Sequence, residues 1–550
     1  RHRMVMVGAE VLGGQFRRLL DGERERVGVL LPNVNGTVVS LLGLWRIGKI
    51  PAVLNYSSGV PLMLTCSELA GLREVITSRV FLAKAKLDVK SMEAAGIEFI
   101  YLEDIRKQIS GLAKLGVFLK HRLALGRARF NIPADRTAVI LFTSGSEGEP
   151  KGVELSHRNI LANLRQLFST VDVMDTDSLF NCLPMFHSFS MTVCVLLPMT
   201  QGLSVVAVKS LHPPKNIIGE LLRHQATVLP AIPQLYRALA NSQLPPNLPL
   251  RVCCSGAAPL PLEVLKAFNE NVGIPLLEGY GLSETSPVAC FNPLHGEKKP
   301  GSVGLPIKGV EFQIWNDAGE VLPTGEQGEI CIKGHNVMMG YWNNPEATEA
   351  AFTTIDGKRF LRTGDIGHFD RDGYFYMTDR VKRMINASGY KVWPAEVEAL
   401  MHHHPDIAEA CVIGAPDPRR GETVKAYVVL RTGAGEIGED AIISWCHDHM
   451  AAYKCPRQIV FVDNLPKTGS GKVQWRDLAD AERPQNSYHA RGNRPPLQRH
   501  PHRHQQGRPV RPRIPEAQPQ QQDAGHGRYR RAGRRALRAV RVRRHPDVSG

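Results

Sequence analysis

Although the chain holds ten cysteines, no two of them stand in a C-x-x-C pair. They are scattered over positions 66, 182, 194, 253, 254, 290, 331, 411, 446 and 455. That pattern argues against a disulfide framework or a zinc site and suits free thiols in a reducing compartment. A secretory signal is missing as well. The first residue is Arg1, and the apolar start Met4–Leu20 reads as a helix already under way, so the chain is read as an N-terminally truncated fragment. Uninterrupted apolar runs are also lacking: the longest, Leu179–Thr200, is broken by Asn181, His187 and two prolines. It makes a poor membrane span and reads as a buried strand–helix unit. Finally, the stretch from Pro484 to Gly550 contains no Phe, Trp, Met, Cys or Lys. It cannot bury enough apolar surface to order itself.

That tail dominates the charge. Its sixteen Arg against three acidic residues supply thirteen of the net +15, so the preceding 483 residues are nearly neutral. A basic pI is therefore no evidence for nucleic-acid binding by the body, and no nucleic-acid partner is expected. Arginine without lysine is also what an out-of-frame reading of GC-rich coding DNA would give. The alternative is a tail that binds anionic surfaces or nucleic acid.

With 43% apolar residues in 550, the chain can bury large cores and should split into at least two domains. From Val27 to Glu284 short apolar strands alternate with amphipathic helices, as in Val27–Leu31 then Thr37–Ile47, and Leu250–Ser255 then Leu262–Val272. Such alternation predicts an α/β fold with largely parallel sheets. After Gly301 the texture turns to short strands and tight turns, with hairpins expected at Asp317-Ala318-Gly319 and Asp372-Gly373. A small α+β unit follows. The division expected is 1–379, 380–483 and the 484–550 tail.

The strongest local signal is the run from Thr143 to Gly152, Thr-Ser-Gly-Ser-Glu-Gly-Glu-Pro-Lys-Gly, which follows an apolar strand and is expected to precede a helix. Its glycines let the backbone approach an anion, while Thr143, Ser144, Ser146 and Lys151 supply donors for phosphate oxygens. A merely flexible Gly/Ser loop is the bland alternative. A Walker A loop is excluded, because Pro150 precedes the lysine and Gly152 follows it.

Here the sequence begins to resemble the adenylate-forming superfamily of acyl-CoA synthetases, peptide-synthetase adenylation domains and luciferases. The resemblance recurs in order through Gly279-Tyr280-Gly281-Leu282-Ser283-Glu284, Arg362-Thr363-Gly364-Asp365, Asp379-Arg380-Val381-Lys382, and Leu465–Lys472 with Arg476. It implies a large N-terminal domain, a small mobile C-terminal domain, and ATP and Mg²⁺ as co-substrates. Residue by residue, it implies that Thr143, Ser144, Gly145, Ser146, Gly148 and Lys151 hold the β- and γ-phosphates. Gly256 and Ala257 would lie between adenine and the acyl pocket. Tyr280 would face the adenine, with Ser283 beside it, and Glu284 would ligate Mg²⁺. Asp365 would accept the ribose hydroxyls with Arg380 fixing the sugar, His187 would stand by the carboxylate, and Lys472 would bridge carboxylate and α-phosphate as charge develops. Lys382 falls at the hinge between two half-reactions, and Gly389 and Lys391 would line the path of the thiol. Three departures stand out: Glu147 adds a negative charge to the phosphate loop, Ser283 replaces a commoner Thr, and Arg383 sits where an acid is frequent.

Within the superfamily, the Ser-Glu-Gly loop, Val29–Asn33, Pro51–Tyr56 and Tyr101–Asp104 resemble the synthetase half of bifunctional acyltransferase/acyl-acyl carrier protein synthetases. Lys391–Pro418 is more similar to long-chain acyl-CoA ligases. These likenesses imply a fatty acid as substrate and CoA or the phosphopantetheine of acyl carrier protein as acceptor. They also imply an acyltransferase upstream, and a cytoplasmic setting, at most peripheral at the inner face of the membrane. An adenylation domain for an amino or aryl acid is the enzyme alternative, and nothing after Arg476 resembles its carrier domain. His402-His403-His404 reads as a solvated helix end rather than a metal site.

Overall fold

The computed structural model describes residues 2–123, 132–144, 149–208, 214–245, 247–387, 390–417, 421–435, 437–467 and 473–482. Two seven-stranded sheets carry most of the chain. In the first, Arg26–Val29, Ile50–Val53, Glu74–Thr77, Glu98–Tyr101 and Thr137–Ser144 run parallel. In the second, Ser178–Asn181, Ser204–Ala207, Val228–Ala231, Val252–Ser255 and Leu276–Gly281 do the same. Strands such as Ile50–Val53 and Ser178–Asn181 are buried at every position. Near-continuous burial is what a parallel sheet covered on both faces requires, and it explains why these strands read as apolar runs rather than alternations.

The α/β class and the parallel sheets expected from the alternation are present. One local expectation fails. The glycine-rich run does not lead into a helix: the strand Pro150–Ser156 intervenes, antiparallel to Thr137–Ser144, with Thr143 opposite Lys151. Its core positions Val153 and Leu155 alternate with the half-buried Glu154, a strand period too short to stand out beside the loop. The helix His157–Phe168 begins only after it, capped by Ser156 and Asn159 in a reciprocal box. Asn163 on that helix bonds both the N–H and the C=O of Val288, which ties the first sheet to the second.

An antiparallel sheet and a mixed one, in which Gln458–Phe461 runs parallel to Gly421–Leu430, complete the fold. Val310–Trp315, Gly328–Gly334, Phe352–Ile355, Lys358–Phe369 and Phe375–Arg380 form the third, with turns at both expected hairpins. Residues 385–461 form a fourth of five strands with its own apolar cluster around Val397, Val412, Val428 and Ile442. His404 is not solvated as expected: it is 5% exposed, edge-on to Trp445, and accepts the Asp406 N–H at 3.1 Å. The imidazole packs against the indole in a T-shaped contact while its nitrogen takes the polar one. Among the described residues no helix is long and apolar enough to cross a membrane.

Candidate active site

The third sheet builds the first half of the site through register alone. Asp365 on Lys358–Phe369 lies directly across from Arg380 on Phe375–Arg380, which joins two of the sequence motifs in one cross-strand pair. Arg380 Nε donates to Asp365 Oδ1 at 2.8 Å. The other carboxylate oxygen accepts the Tyr280 hydroxyl at 2.7 Å. Asp365 is 1% exposed, yet each oxygen keeps a lone pair for a further donor. Burial first, then the Asp365 charge, holds the Tyr280 phenol well above its usual range, so it stays a donor. Tyr280 is thus tied to the acid through its hydroxyl, besides offering the aromatic ring expected of it.

Glu284 is placed by the turn that ends Leu276–Gly281. Residues Ser283–Thr285 form one short 3₁₀ turn after a register shift at Tyr280/Gly281. Gly281 is required there: a Cβ would stand 1.9 Å from the Pro287 carbonyl oxygen, a backbone atom that cannot yield. Glu284 Oε1 accepts the Tyr341 hydroxyl at 3.0 Å. The Tyr341 ring lies 4.8 Å from Lys151 Nζ, because Gly340–Tyr341 pairs with Pro150–Ser156 at the edge of the first sheet. Arg380 also feels the charges of Asp365 and Glu284, with Asp365 the largest contribution to its raised pKa. Lys151, Tyr341, Glu284, Arg380, Asp365 and Tyr280 thus form one connected string drawn from three sheets.

A second group meets this string from behind. Ser188 Oγ lies 3.3 Å from Ser283 Oγ, and the Phe189 ring stands where a Cβ on Gly256 would touch it at 3.2 Å. The segment Phe186–Leu197 packs into the core of the first sheet through Phe186, Met191 and Leu197, which fixes its approach. The His187 ring packs 4.6 Å from Phe186, and burial pushes its pKa down to about 4. It is a neutral imidazole at pH 7. Ala257 holds a positive φ of 68°, an αL conformation that turns the chain sharply after the strand Val252–Ser255.

Some expected residues stand elsewhere. Lys391 Nζ is 2.9 Å from Asp317 on an exposed turn of the third sheet. Lys382 lies in the short 3₁₀ turn Val381–Arg383, directly after the strand Phe375–Arg380. Arg383, the departure from the usual acid, has a local reason: it lies 3.7 Å from Asp379 and bonds Glu398 directly. Burial works against its charge, and Glu398 and Asp379 outweigh that and hold its pKa up. Gly145, Ser146, Gly148, Gly389 and Lys472 lie outside the described residues, as does the Ser144 side chain. The residues flanking the Lys472 loop, Lys467 and Val473, pair as an antiparallel bridge. Arg476, three residues on, is an electrostatic neighbour of Arg380, since its lowered pKa reflects burial first and then the Arg380 charge.

Sequence reasoning missed Tyr341, Ser188 and Phe189. Tyr341 is 57 positions from Glu284 and reaches it only through a two-residue edge strand, which leaves no periodic signal. Among the described residues no three His, Cys, Asp or Glu side chains converge to cage a metal. The donor set still suits Mg²⁺, which takes one or two carboxylates and completes its shell with phosphate and water.

Residues 12–342 match the family described as AMP-binding enzyme, and residues 396–472 match the AMP-binding enzyme C-terminal domain. The chain is 38% identical over 359 residues to a long-chain-fatty-acid–CoA ligase of Bacillus subtilis, a match that spans 64% of this chain and 62% of that protein. It is 30% identical over 486 residues to a long-chain-fatty-acid–CoA ligase of Salmonella typhimurium, covering 84% and 86%. Among solved structures it resembles ATP-bound MatB from Rhodopseudomonas palustris, with a TM-score of 0.76 at 28% identity over 87% of this chain and 92% of that one.

Proposed function

Because the chain belongs to the AMP-binding enzyme family and carries that family's C-terminal domain as well, we propose that it activates a long-chain fatty acid with ATP and transfers the acyl group to a thiol. The observation that carries the proposal is the connected string of Lys151, Tyr341, Glu284, Arg380, Asp365 and Tyr280. A cation, Lys151, and a carboxylate, Glu284, stand at one end of it, and Asp365, a carboxylate with open lone pairs paired to Arg380, stands at the other. That is the polarity of a nucleoside triphosphate: polyphosphate toward Lys151 and Glu284 with its metal, ribose hydroxyls toward Asp365 and Arg380. The choice of a long-chain acid rests on the two relatives bearing that activity in their names.

In the first half-reaction a carboxylate oxygen of the acid attacks the α-phosphorus, and the bond to pyrophosphate breaks. Lys151, with its loop, offsets charge on the leaving group, and Lys472 neutralises the two anions that meet. Mg²⁺ at Glu284 would screen the phosphate oxygens. The neutral His187, next to the Ser188–Ser283 contact, can donate one hydrogen bond to the acid without pairing with it as a cation. In the second half-reaction a thiol sulfur attacks the acyl carbon, AMP leaves, and Lys382 serves as the pivot for the small domain. The thiol is that of CoA or of the phosphopantetheine on acyl carrier protein; the latter would feed an acyltransferase.

The test is acid-dependent exchange of labelled pyrophosphate into ATP, with Glu284→Ala as control. Exchange with long-chain acids but not with amino or aryl acids is expected. A folded chain that exchanges with none of them, or with an amino acid, would sink the proposal. Supplying CoA and holo-acyl carrier protein separately to the enzyme-bound adenylate then assigns the acceptor.

A further inference from the structure

The helix Gly111–Arg122 exposes the face that a core helix would bury. Val117, Lys120 and His121 are its only half-buried residues. They face the helix His2–Leu19, where Glu10 accepts from Lys120 Nζ at 2.7 Å and lies 2.9 Å from His121 Nε2. The opposite side exposes Leu112, Leu115, Phe118 and Leu119, and Leu123 follows at the helix end. Leu112 is 82% exposed and Leu115 52%. Spacings of three, four and four residues put the four leucines on one stripe.

Among the described residues of this helix, the charged side chains beside the stripe are cationic. Lys114 and Arg122 are exposed beside it. From Ile105 to Ala134 the sequence carries seven Lys or Arg and no Asp or Glu. A contiguous apolar stripe in water marks an interaction surface. Leucines that enter an acyl boundary while flanking cations meet phosphate headgroups are the arrangement of a helix lying in a membrane interface. A protein partner of specific register would be met by mixed charges. A long segment of one sign complements a uniformly anionic sheet instead.

We propose that the helix Gly111–Arg122 docks this chain on the surface of an anionic phospholipid bilayer. The proposal does not depend on which acid is activated, because binding is read without turnover. It also differs from binding through the Arg-rich tail, since the tail is the same in every variant below.

The test is sedimentation of the full chain with vesicles of phosphatidylcholine alone or mixed with phosphatidylglycerol. Binding to the mixed vesicles is expected. Lys114→Gln with Arg122→Gln should weaken it about thirtyfold, roughly fivefold per cation. Leu112→Gln with Leu115→Gln and Leu119→Gln should weaken it at least tenfold. These side chains are exposed, so thermal melts should match the parent. Binding that both variants leave unchanged would place it on the tail and overturn the proposal. Equal binding to neutral vesicles would overturn its electrostatic half. A parent that ignores vesicles, but sediments as a dimer dissolved by the leucine substitutions, would overturn it too and make the stripe a contact between copies of this chain.

Discussion

Replacing Tyr341 by phenylalanine removes one hydroxyl from the string and leaves its packing in place. The phenol donates to Glu284 Oε1 at 3.0 Å, longer than the roughly 2.5–2.7 Å of a strong bond from a hydroxyl to a carboxylate. Hydrogen bonds to charged groups contribute about 1.5–3 kcal/mol, and the length puts this one at the lower end. About 1.5 kcal/mol is roughly tenfold in an equilibrium constant. The ring that faces Lys151 at 4.8 Å survives in phenylalanine, so the cation–π contact should persist. If Glu284 ligates Mg²⁺ and Tyr341 aims it, Tyr341→Phe should raise the Mg²⁺ concentration for half-maximal pyrophosphate exchange about tenfold. The apparent KM for the acid should not move. Tyr341→Leu should go a further few-fold, because the cation–π contact is lost too. An unchanged Mg²⁺ dependence in Tyr341→Phe, with Glu284→Ala inactive, would refute the positioning argument. Equal loss in the acid and Mg²⁺ dependences would show a general disturbance of the site instead.

Three further outcomes are expected. Glu278 is buried, with its Oε1 accepting the Leu260 N–H at 2.9 Å, and burial pushes its pKa up from 4.5 to about 7. The folded state therefore binds the extra proton. This contribution to stability is complete below pH 4.5 and is lost as the pH rises through 7, a change of about 3 kcal/mol. Glu278→Gln keeps the acceptor and should flatten the denaturation midpoint between about pH 4.5 and 7; parallel pH profiles would exclude it. Arg383→Met leaves Asp379 and Glu398, 2% and 16% exposed, without their shared cation and should cost the C-terminal unit about 3–5 kcal/mol. Hydrogen exchange over residues 385–482 measures it, and unaltered protection would count against the network. Lys382→Pro should spare adenylate formation and slow thioester formation, which single-turnover assays of each half separate; equal losses in both would remove the hinge role.

Several features were legible because their signals are local. Alternating apolar runs and amphipathic helices specify strands buried on both faces, and Asp372-Gly373 marks a hairpin without reference to anything distant. The ordered motifs exposed the chemistry, since glycines, hydroxyls and a lysine at fixed spacing suit one class of ligand. What the sequence by itself determined is therefore the α/β class, the family resemblance and most of the residues in the string. Tertiary structure alone decided how those residues meet. Asp365 faces Arg380 through the register of one hairpin, and Tyr341 reaches Glu284 through an edge strand of another sheet. Arg383 is explained by Glu398 fifteen positions away, and His404 by Trp445 on a neighbouring helix. The physical reason is the same in each case: hydrogen bonds and ion pairs depend on distances of a few ångströms, which pairing of remote strands sets and local composition does not encode.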